Sequence, residues 1–519
     1  MTKRLRNYFL QALSADKRPG AFDTSHLELG IGLRTAKSAM VTLVTSVTIF
    51  GIQIAQLAIL SRLLSPEDFG LVGMAVVATG LVKLFADIGL SAATVQREEI
   101  DQAFVSALFY IDLIVSCGLM LLCFAMAPLS ANIFSEPRVE LIVAVIALTF
   151  PLVALRGQHI ALLSRRMLYV RINLVAVLAN VAGAAAAILS AWWLELGYWS
   201  IVIGIVISDV SQVMFSWIFS PWMPSRPGSL AAGRSALGFG LNLLGANLAG
   251  WLWKQADRAL IGWRWDPSEL GYYARAYSVL MVPINLVSGP IGSAVIPALS
   301  RLQGNRTEWT ALMLTTARIL AFFAGLMTVG LSLNAEFIID LMLGPQWGLS
   351  VTIFSLLALS LFPGFVWEHA RFVFISLGRT DIMRRYAVAA AIVHVAAFGV
   401  GVTWGSIGVA VALASASALV TPVLLVVSAR VGEVAVGRLL AQFAPSFGAM
   451  LIVWGFMELV EPYLAQDLSF AQAITKSCLI IIVFVIVHLA ILPIHAGWRG
   501  DMKRLISIAA KFLIKKPAT

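Results

Sequence analysis

Charged residues make up only 12% of this 519-residue sequence, so those set inside apolar runs are where its chemistry must be sought. A charge at membrane depth is expensive and is kept for a use or a partner. Asn247, Trp251, Lys254 and Arg258 follow one another at spacings of 4, 3 and 4 and share one helix face, with Asp257 beside it. Such a face would grip an anion, or its cations would snorkel to the membrane surface. Arg275 has the planar fork suited to bidentate phosphate binding, and a headgroup anchor is its competing reading. Lys83 and Asp87 lie one turn apart, as a cavity cation beside a carboxylate or as a self-paired couple. Arg318 is a further cation inside an apolar run, lining a cavity or snorkelling. Asp112, Asp209 and Glu368 are lone carboxylates that would bind a proton or a cation if movement of a cargo is ion-coupled. Glu368 with His369 and Arg371 reads equally as a polar helix end, and His394 and His488 as packing residues.

These residues need elements that hold them in lipid. The sequence is 60% hydrophobic with a mean hydropathy of +0.89, against about a quarter charged in soluble domains. Windows of roughly 20 apolar residues place spans at 38–60, 70–90, 103–127, 139–158, 172–194, 198–220, 236–256, 271–299, 311–332, 350–369, 386–403, 407–429, 442–461 and 472–494. Prolines at Pro151, Pro283, Pro290, Pro297, Pro363 and Pro422 fall within spans and are expected to kink them. The three cysteines, Cys117, Cys123 and Cys478, sit in apolar runs without disulfide or zinc spacing and read as small hydrophobes.

With the N-terminus inside, 28 of the 37 Lys and Arg residues fall on inward segments and 5 on outward ones. That bias favours both termini in the cytoplasm and explains the net charge of +10 without nucleic acid. The basic start reads as a retained tail that can form an interfacial amphipathic helix. Every outward loop is short. No Walker A, H-E-x-x-H, G-x-S-x-G or Gly-rich fingerprint is present, and no metal or organic cofactor is expected.

Gln53 to Ala75, QIAQLAILSRLLSPEDFGLVGMA, aligns without a gap at an offset of 201 residues with Lys254 to Ala276, KQADRALIGWRWDPSELGYYARA. Pro66 matches Pro267, Gly70 matches Gly271, and Asp68 matches Glu269. Ser65 and Asp266 are expected N-caps, the prolines take the first helical position, and the glycines allow close approach of a neighbouring helix. Lys254 falls on Gln53 and Asp257 on Gln56, so both copies carry a polar stripe. Trp251, Trp253, Trp263, Trp265, Tyr272, Tyr273 and Tyr277 gather about the second turn, as an interface belt or a platform for sugar rings. The offset spans six helices entered from one side, a parallel repeat about the membrane normal. The expected order is a basic tail 1–37, a first lobe 38–220, a linker 221–235, a second lobe 236–429, two added spans within 430–494, and a basic tail 495–519.

SRLLSPEDFGLVGMAVV followed by FADIGLSAATVQREEID, and ADRALIGW followed by ELGYYARAYSV, resemble the polysaccharide-transport (Wzx or WzxC-like) branch of the multidrug/oligosaccharidyl-lipid/polysaccharide exporter superfamily. The resemblance implies an all-α membrane fold of about fourteen helices, with two six-helix lobes around a cavity opening alternately to either side. It implies a flippase rather than an enzyme, moving undecaprenyl-pyrophosphate-linked oligosaccharide to the periplasmic leaflet of a bacterial inner membrane for exopolysaccharide, capsule or O-antigen. Implied partners are that lipid-linked cargo and membrane lipids, with a polysaccharide polymerase and a chain-length regulator as candidates, and one chain could act as a monomer. Proton or Na+ coupling stands open. A drug/cation antiporter of the same superfamily, or a membrane polymerase or ligase acting on the same lipid carrier, are the competing readings.

Overall fold

A computed structural model describes residues 31–86, 90–97, 99–225, 255–460 and 470–491. Residues 1–30 and 492–519 of the basic tails, the linker beyond Ser225, and the residues Asp87, Asn247, Trp251, Trp253 and Lys254 lie outside the described residues, while 31–37 of the first tail belong to the first helix. Helices account for almost all the rest: α1 (Ile31–Leu63), α2 (Pro66–Ala86), α3 (Leu90–Gln96), α4 (Gln102–Ile133), α5 (Arg138–Ala147), α6 (Thr149–Arg165), α7 (Tyr169–Trp193) and α8 (Tyr198–Phe219) come first. After a helical stretch at 255–264 follow α9 (Pro267–Arg301), α10 (Arg306–Leu333), α11 (Ala335–Met342), α12 (Gly348–Ala358), α13 (Leu361–Ser376), α14 (Thr380–Gly401), α15 (Gly405–Val431), α16 (Val436–Val460) and α17 (Phe470–Ile491). Among the described residues nine helices are long and apolar enough to cross a membrane, or ten if the bent pair ending in α13 counts as one span. The expected spans fall on these helices with edges that differ by up to seven residues, except that most of 236–256 lies outside the description, and a total of fourteen is compatible with the described helices.

The chain divides into two compact units, Met1–Gly271 and Tyr272–Thr519. Within the first, α7 packs most extensively on α8, α4 on α5 and α6, and α6 on α8. Within the second, α14 packs on α15, α10 on α13, and α13 on α15. The same neighbours recur six spans later, as the sequence repeat requires. Backbone detail recurs too. The α7–α8 hairpin turns on Gly197 (φ 54°) and the α14–α15 hairpin on Gly405 (φ 73°), left-handed conformations that glycine adopts without a Cβ penalty. Each hairpin then closes through a glycine pair. A Cβ on Gly183 would lie 2.8 Å from the Gly204 carbonyl oxygen, and Gly401 and Gly408 stand in the same relation to each other.

Prolines break the equivalent spans in both units. α5 ends at Ala147, four residues before Pro151, and α12 ends at Ala358, five before Pro363. Proline lacks the N–H that would bond the carbonyl four residues back, and its ring crowds that carbonyl. The second break bends the chain by 45°. Pro283, Pro290 and Pro297 behave differently, lying inside the unbroken α9, and Pro422 lies inside α15.

The core of the second unit is a dry cluster of α10, α13, α15 and α16 side chains, including Trp309, Phe365, Phe372, Phe374 and Phe443. The two added helices join it through polar ties. Gln442 of α16 accepts from the Arg318 guanidinium at 2.7 Å, Ser446 meets His488 of α17 at 3.0 Å, and Ser477 donates to Asn334 at 3.2 Å. Gly325 gives these helices room, since a Cβ there would meet the Ser446 carbonyl at 2.8 Å and Phe484 at 2.9 Å.

At the end of the first unit where α2 begins, the Arg138 guanidinium bridges Glu67 (2.6 Å) and Glu136 (2.7 Å), tying the start of α5 to the start of α2. The hydrogen bond from Arg138 is the largest influence on Glu136 and holds its carboxyl below the usual glutamate range. A carboxylate stabilised in this way contributes fully above its unfolded value, about 4.3, and loses that contribution as pH falls through the lower folded value. Hydrogen exchange of 133–140, taken relative to the intrinsic rate at each pH, should therefore quicken only on acidification below about pH 4. Glu136→Gln should quicken it at neutral pH and flatten the acid response. An unchanged profile in that variant would show that the turn is held by its apolar packing alone.

Candidate functional site

Charges at mid-depth in the first unit come together. Asp209 lies halfway along α8, about 15 Å from either end at 1.5 Å per residue, and is only 7% exposed. Lys83 of α2 and Arg156 of α6 stand close enough for both charges to act on its carboxylate. Lys83 is exposed and Arg156 half-buried. On the next residue of α6, a Cβ at Gly157 would lie 3.2 Å from Ser91 Oγ and 3.7 Å from an Asp112 carboxylate oxygen. Asp112 of α4 is itself buried, at 7%. Asp209 thus lies under the influence of two cations, and Asp112 beside the residue next to one of them, at a depth where hydrocarbon would leave a lone charge at a cost of several kcal/mol.

The cluster continues along α6. Gln158, fully buried, accepts from Thr94 of α3 at 2.6 Å. Arg165 closes the end of α3 by donating to the carbonyls of Thr94 (3.2 Å) and Arg97. His159 is also fully buried, and neither ring nitrogen has a hydrogen-bond partner among the described residues. Its ring lies 4.6 Å from Trp217 and 5.2 Å from Trp222. Trp222 is held there by the segment that follows α8. Its indole donates to Gln102 at 2.7 Å, Gln102 donates to the Met223 carbonyl at 2.7 Å, and the Ser225 amide donates to Ser106 at 3.0 Å.

The remaining candidates fall into three groups. Asp257 is buried and accepts from the Arg258 amide at 2.8 Å, while the Arg258 guanidinium donates to Gln255 at 3.1 Å. Arg275 is half-buried on α9, Gln56 half-buried and Gln53 exposed on α1. Arg318 is 8% exposed and bonded to Gln442 and Thr315, so it ties α10 to α16. Glu368 is paired with Arg371 at 2.5 Å, one turn along α13, but inside that helix, which runs on to Ser376, rather than at the helix end expected. His394 bonds the Ala390 carbonyl and Ser417, and His488 bonds Ser446 and the Phe484 carbonyl. Both are satisfied packing residues. Among the aromatics, Tyr273 is fully buried and stacked on Tyr277 at 6.2 Å, whereas Trp263 is 58% exposed.

Sequence reasoning missed Arg156. The hydropathy window closed that span at 158 and assigned Arg156 to the inward segment with Arg165, Arg166 and Arg171. α6 instead runs on to Arg165, which leaves Arg156 about 14 Å inside the helix end. Its signal was available as a cation two residues short of the window edge, spaced nine residues from the next one. His159 and Gln158 carry no such signal.

The structure superimposes on the lipid II flippase MurJ in an inward closed conformation with a TM-score of 0.70 at 14% identity, covering 92% of this chain and 100% of that one. It matches an inward-facing multidrug resistance MATE family transporter of the MOP superfamily at a TM-score of 0.58 and 15% identity, over 76% of this chain and 95% of the other. At these identities the likeness is one of fold. Residues 59–352 match the family of polysaccharide biosynthesis proteins, and the chain belongs to that family, the branch its two repeat motifs resemble. It is 24% identical over 311 residues to the succinoglycan biosynthesis transport protein ExoT of Rhizobium meliloti (strain 1021), covering 60% of this chain and 63% of the relative. It is 22% identical over 328 residues to the lipopolysaccharide biosynthesis protein WzxC of Escherichia coli (strain K12), covering 62% and 66%. The chain thus spans a little under two thirds of the length of these relatives.

A double-mutant cycle tests the cluster. Arg156→Ala should lower thermal stability by leaving Asp209 short of a counter-charge, and Asp209→Asn should recover part of the loss. A coupling of about 0.5–3 kcal/mol is expected for groups in contact; additive losses would mean that the two charges do not interact.

Proposed function

We propose that this protein is a flippase for a lipid-linked oligosaccharide, turning it across a bacterial inner membrane with both termini cytoplasmic. The observation that carries the reading is Asp209 buried halfway along α8 with the charges of Lys83 and Arg156 acting on it, in a chain of the polysaccharide biosynthesis family. A polyprenyl diphosphate needs cations where lipid supplies none, and an acceptor for those cations when no cargo is present. Asp209 serves as that acceptor. When diphosphate oxygens take over Lys83 and Arg156, the carboxylate loses its partners in a low-dielectric setting, where the protonated form is favoured. Cargo and proton then compete through the same two cations, which gives a physical basis for coupling transport to a proton. Membrane lipids and the sugar-bearing carrier are the partners this reading requires.

Asp257, Arg258 and Arg275 extend the reading toward the second repeat copy, where a half-buried guanidinium on α9 would meet sugar or phosphate oxygens. The drug/cation antiporter reading draws on the same carboxylates, Asp112 and Asp209, and the experiment separates the two.

In a strain deleted for this gene, lipid-linked oligosaccharide should accumulate facing the cytoplasm while surface polysaccharide falls. Wild type should reverse both. Arg156→Ala and Lys83→Ala, at normal membrane abundance, should each lower export by about tenfold or more, the worth of a charge-assisted hydrogen bond. Asp209→Asn should weaken the dependence of export on the proton gradient. Repeat units that reach the periplasm but stay unpolymerised would overturn the flippase reading. Drug sensitivity with normal polysaccharide would favour the antiporter.

A further inference from the structure

Several arginines at the end of the second unit where α14 begins and α15 ends already have partners. Arg306 pairs with Glu433 at 3.3 Å, Arg371 with Glu368, and Arg379 with Asp381 at 3.3 Å. Arg384, Arg385 and Arg430 do not. All three are exposed, and among the described residues none takes part in an ion pair or a side-chain hydrogen bond. Asp381, the carboxylate nearest in sequence to the first two, is committed to Arg379. The positive-inside bias asks only for cations in the loops. Arg384 and Arg385 instead stand about 6–8 Å beyond the start of α14 at 1.5 Å per residue, where like charges side by side call for an anion.

The hairpin sets where that anion would sit. Tyr386 donates to the Val420 carbonyl at 2.9 Å and His394 meets Ser417 at 3.1 Å, so the start of α14 runs beside the end of α15. Tyr386, Ala390, His394 and Phe398 recur every four residues, and the last three are buried. The opposite face of α14 is exposed and carries Arg384 and Arg385, then Val388, Ile392 and Val395. On α15 the exposed face carries Leu419 and Val423 and ends at Arg430. Each helix thus presents an apolar strip that finishes in arginine at the same end.

That pattern selects its occupant. A soluble anion would use the arginines and leave the strips uncovered. A zwitterionic headgroup would bring an ammonium and find Asp381 and Glu433 already paired. A second copy docked on this face about a two-fold axis would set arginine against arginine. An anionic phospholipid meets both requirements, its phosphate oxygens accepting from the guanidinium forks while its acyl chains cover the strips. We propose that Arg384, Arg385 and Arg430 hold the headgroup of an anionic phospholipid whose chains lie along Val388, Ile392, Leu419 and Val423. The site shares no residue with the charge cluster on α2, α6 and α8, and it does not depend on which cargo the protein moves.

The full chain, purified in a neutral detergent and supplied with single lipids, tests the site. Phosphatidylglycerol should stay bound in native mass spectrometry and raise the melting temperature; phosphatidylcholine at the same concentration should do neither. Arg384→Gln with Arg385→Gln should weaken phosphatidylglycerol binding by about tenfold or more, and Arg430→Gln should weaken it too. Arg384→Lys with Arg385→Lys, which keep the charge, should lose less. Arg301→Gln removes an exposed cation at the end of α9 and should leave binding unchanged. Equal loss in that variant would mean diffuse attraction to a positive surface and overturn the proposal. Equal retention of the two lipids would overturn it as well, as would competition by glycerol phosphate as effective as by the whole lipid. Displacement by polyprenyl phosphate at far lower concentration would assign the face to the cargo carrier. Disulfide-linked dimers of Ile392→Cys, in a chain lacking its three native cysteines, would assign it to a second copy, and either result sinks the phospholipid site. None of these readouts involves export, so failure of the flippase reading would leave them standing.

Discussion

Hydrocarbon offers a polar group no partner, and that constraint governs this chain at every level. It makes the backbone helical nearly throughout, because a helix satisfies its own amide and carbonyl groups. It confines irregular backbone to a few places, such as the proline breaks before Pro151 and Pro363. It also decides what a buried charge must do. Arg318 turns to Gln442 and Thr315, Glu368 to Arg371, and Asp209 stands within reach of Lys83 and Arg156. The first two serve architecture, holding an added helix or pairing along one helix. The third draws on α2, α6 and α8, and the distinction between structural and functional charge rests on the number of helices drawn together rather than on residue type.

Small residues answer the other half of the problem. Between helices in lipid the hydrophobic effect gives little, so association depends on close packing. The glycine pairs in the α7–α8 and α14–α15 hairpins, and Gly325 against α16 and α17, let backbones approach to distances a side chain would forbid. Buried small and aromatic residues then fill the second unit around α10. The first unit instead devotes much of its interior to polar contacts running along α6, from Arg156 through Gln158 to the His159 ring between its two tryptophans.

Much of this was legible in the sequence, and the limits have a physical origin. Hydropathy located the spans because each apolar run must cover the same thickness of lipid. Capping chemistry located the turn at Ser65 and Asp266 because an N-cap and a proline at the first helical position are local rules, and both caps are present. Proximity between spans was another matter. Periodicity tells which face of a helix a residue occupies but not which helix lies opposite, so Asp112 and Asp209 read as lone carboxylates. Arg156 was lost because a window of fixed length cannot see that α6 outruns it. The helix is interrupted before Pro151 and Pro363, while α9 continues through three prolines without a break.

The hairpins carry a consequence for how the protein is made. α14 and α15 meet through their own turn and their own glycines, as α7 and α8 do, so the contact of each pair involves no later part of the chain. Such a pair can finish its contact while the remaining spans are still being synthesised. Two helices entering the bilayer already joined shield each other's exposed backbone and small-residue faces from lipid. The strongest packing in each half is thus formed between neighbours in sequence, and biogenesis can run from one completed hairpin to the next.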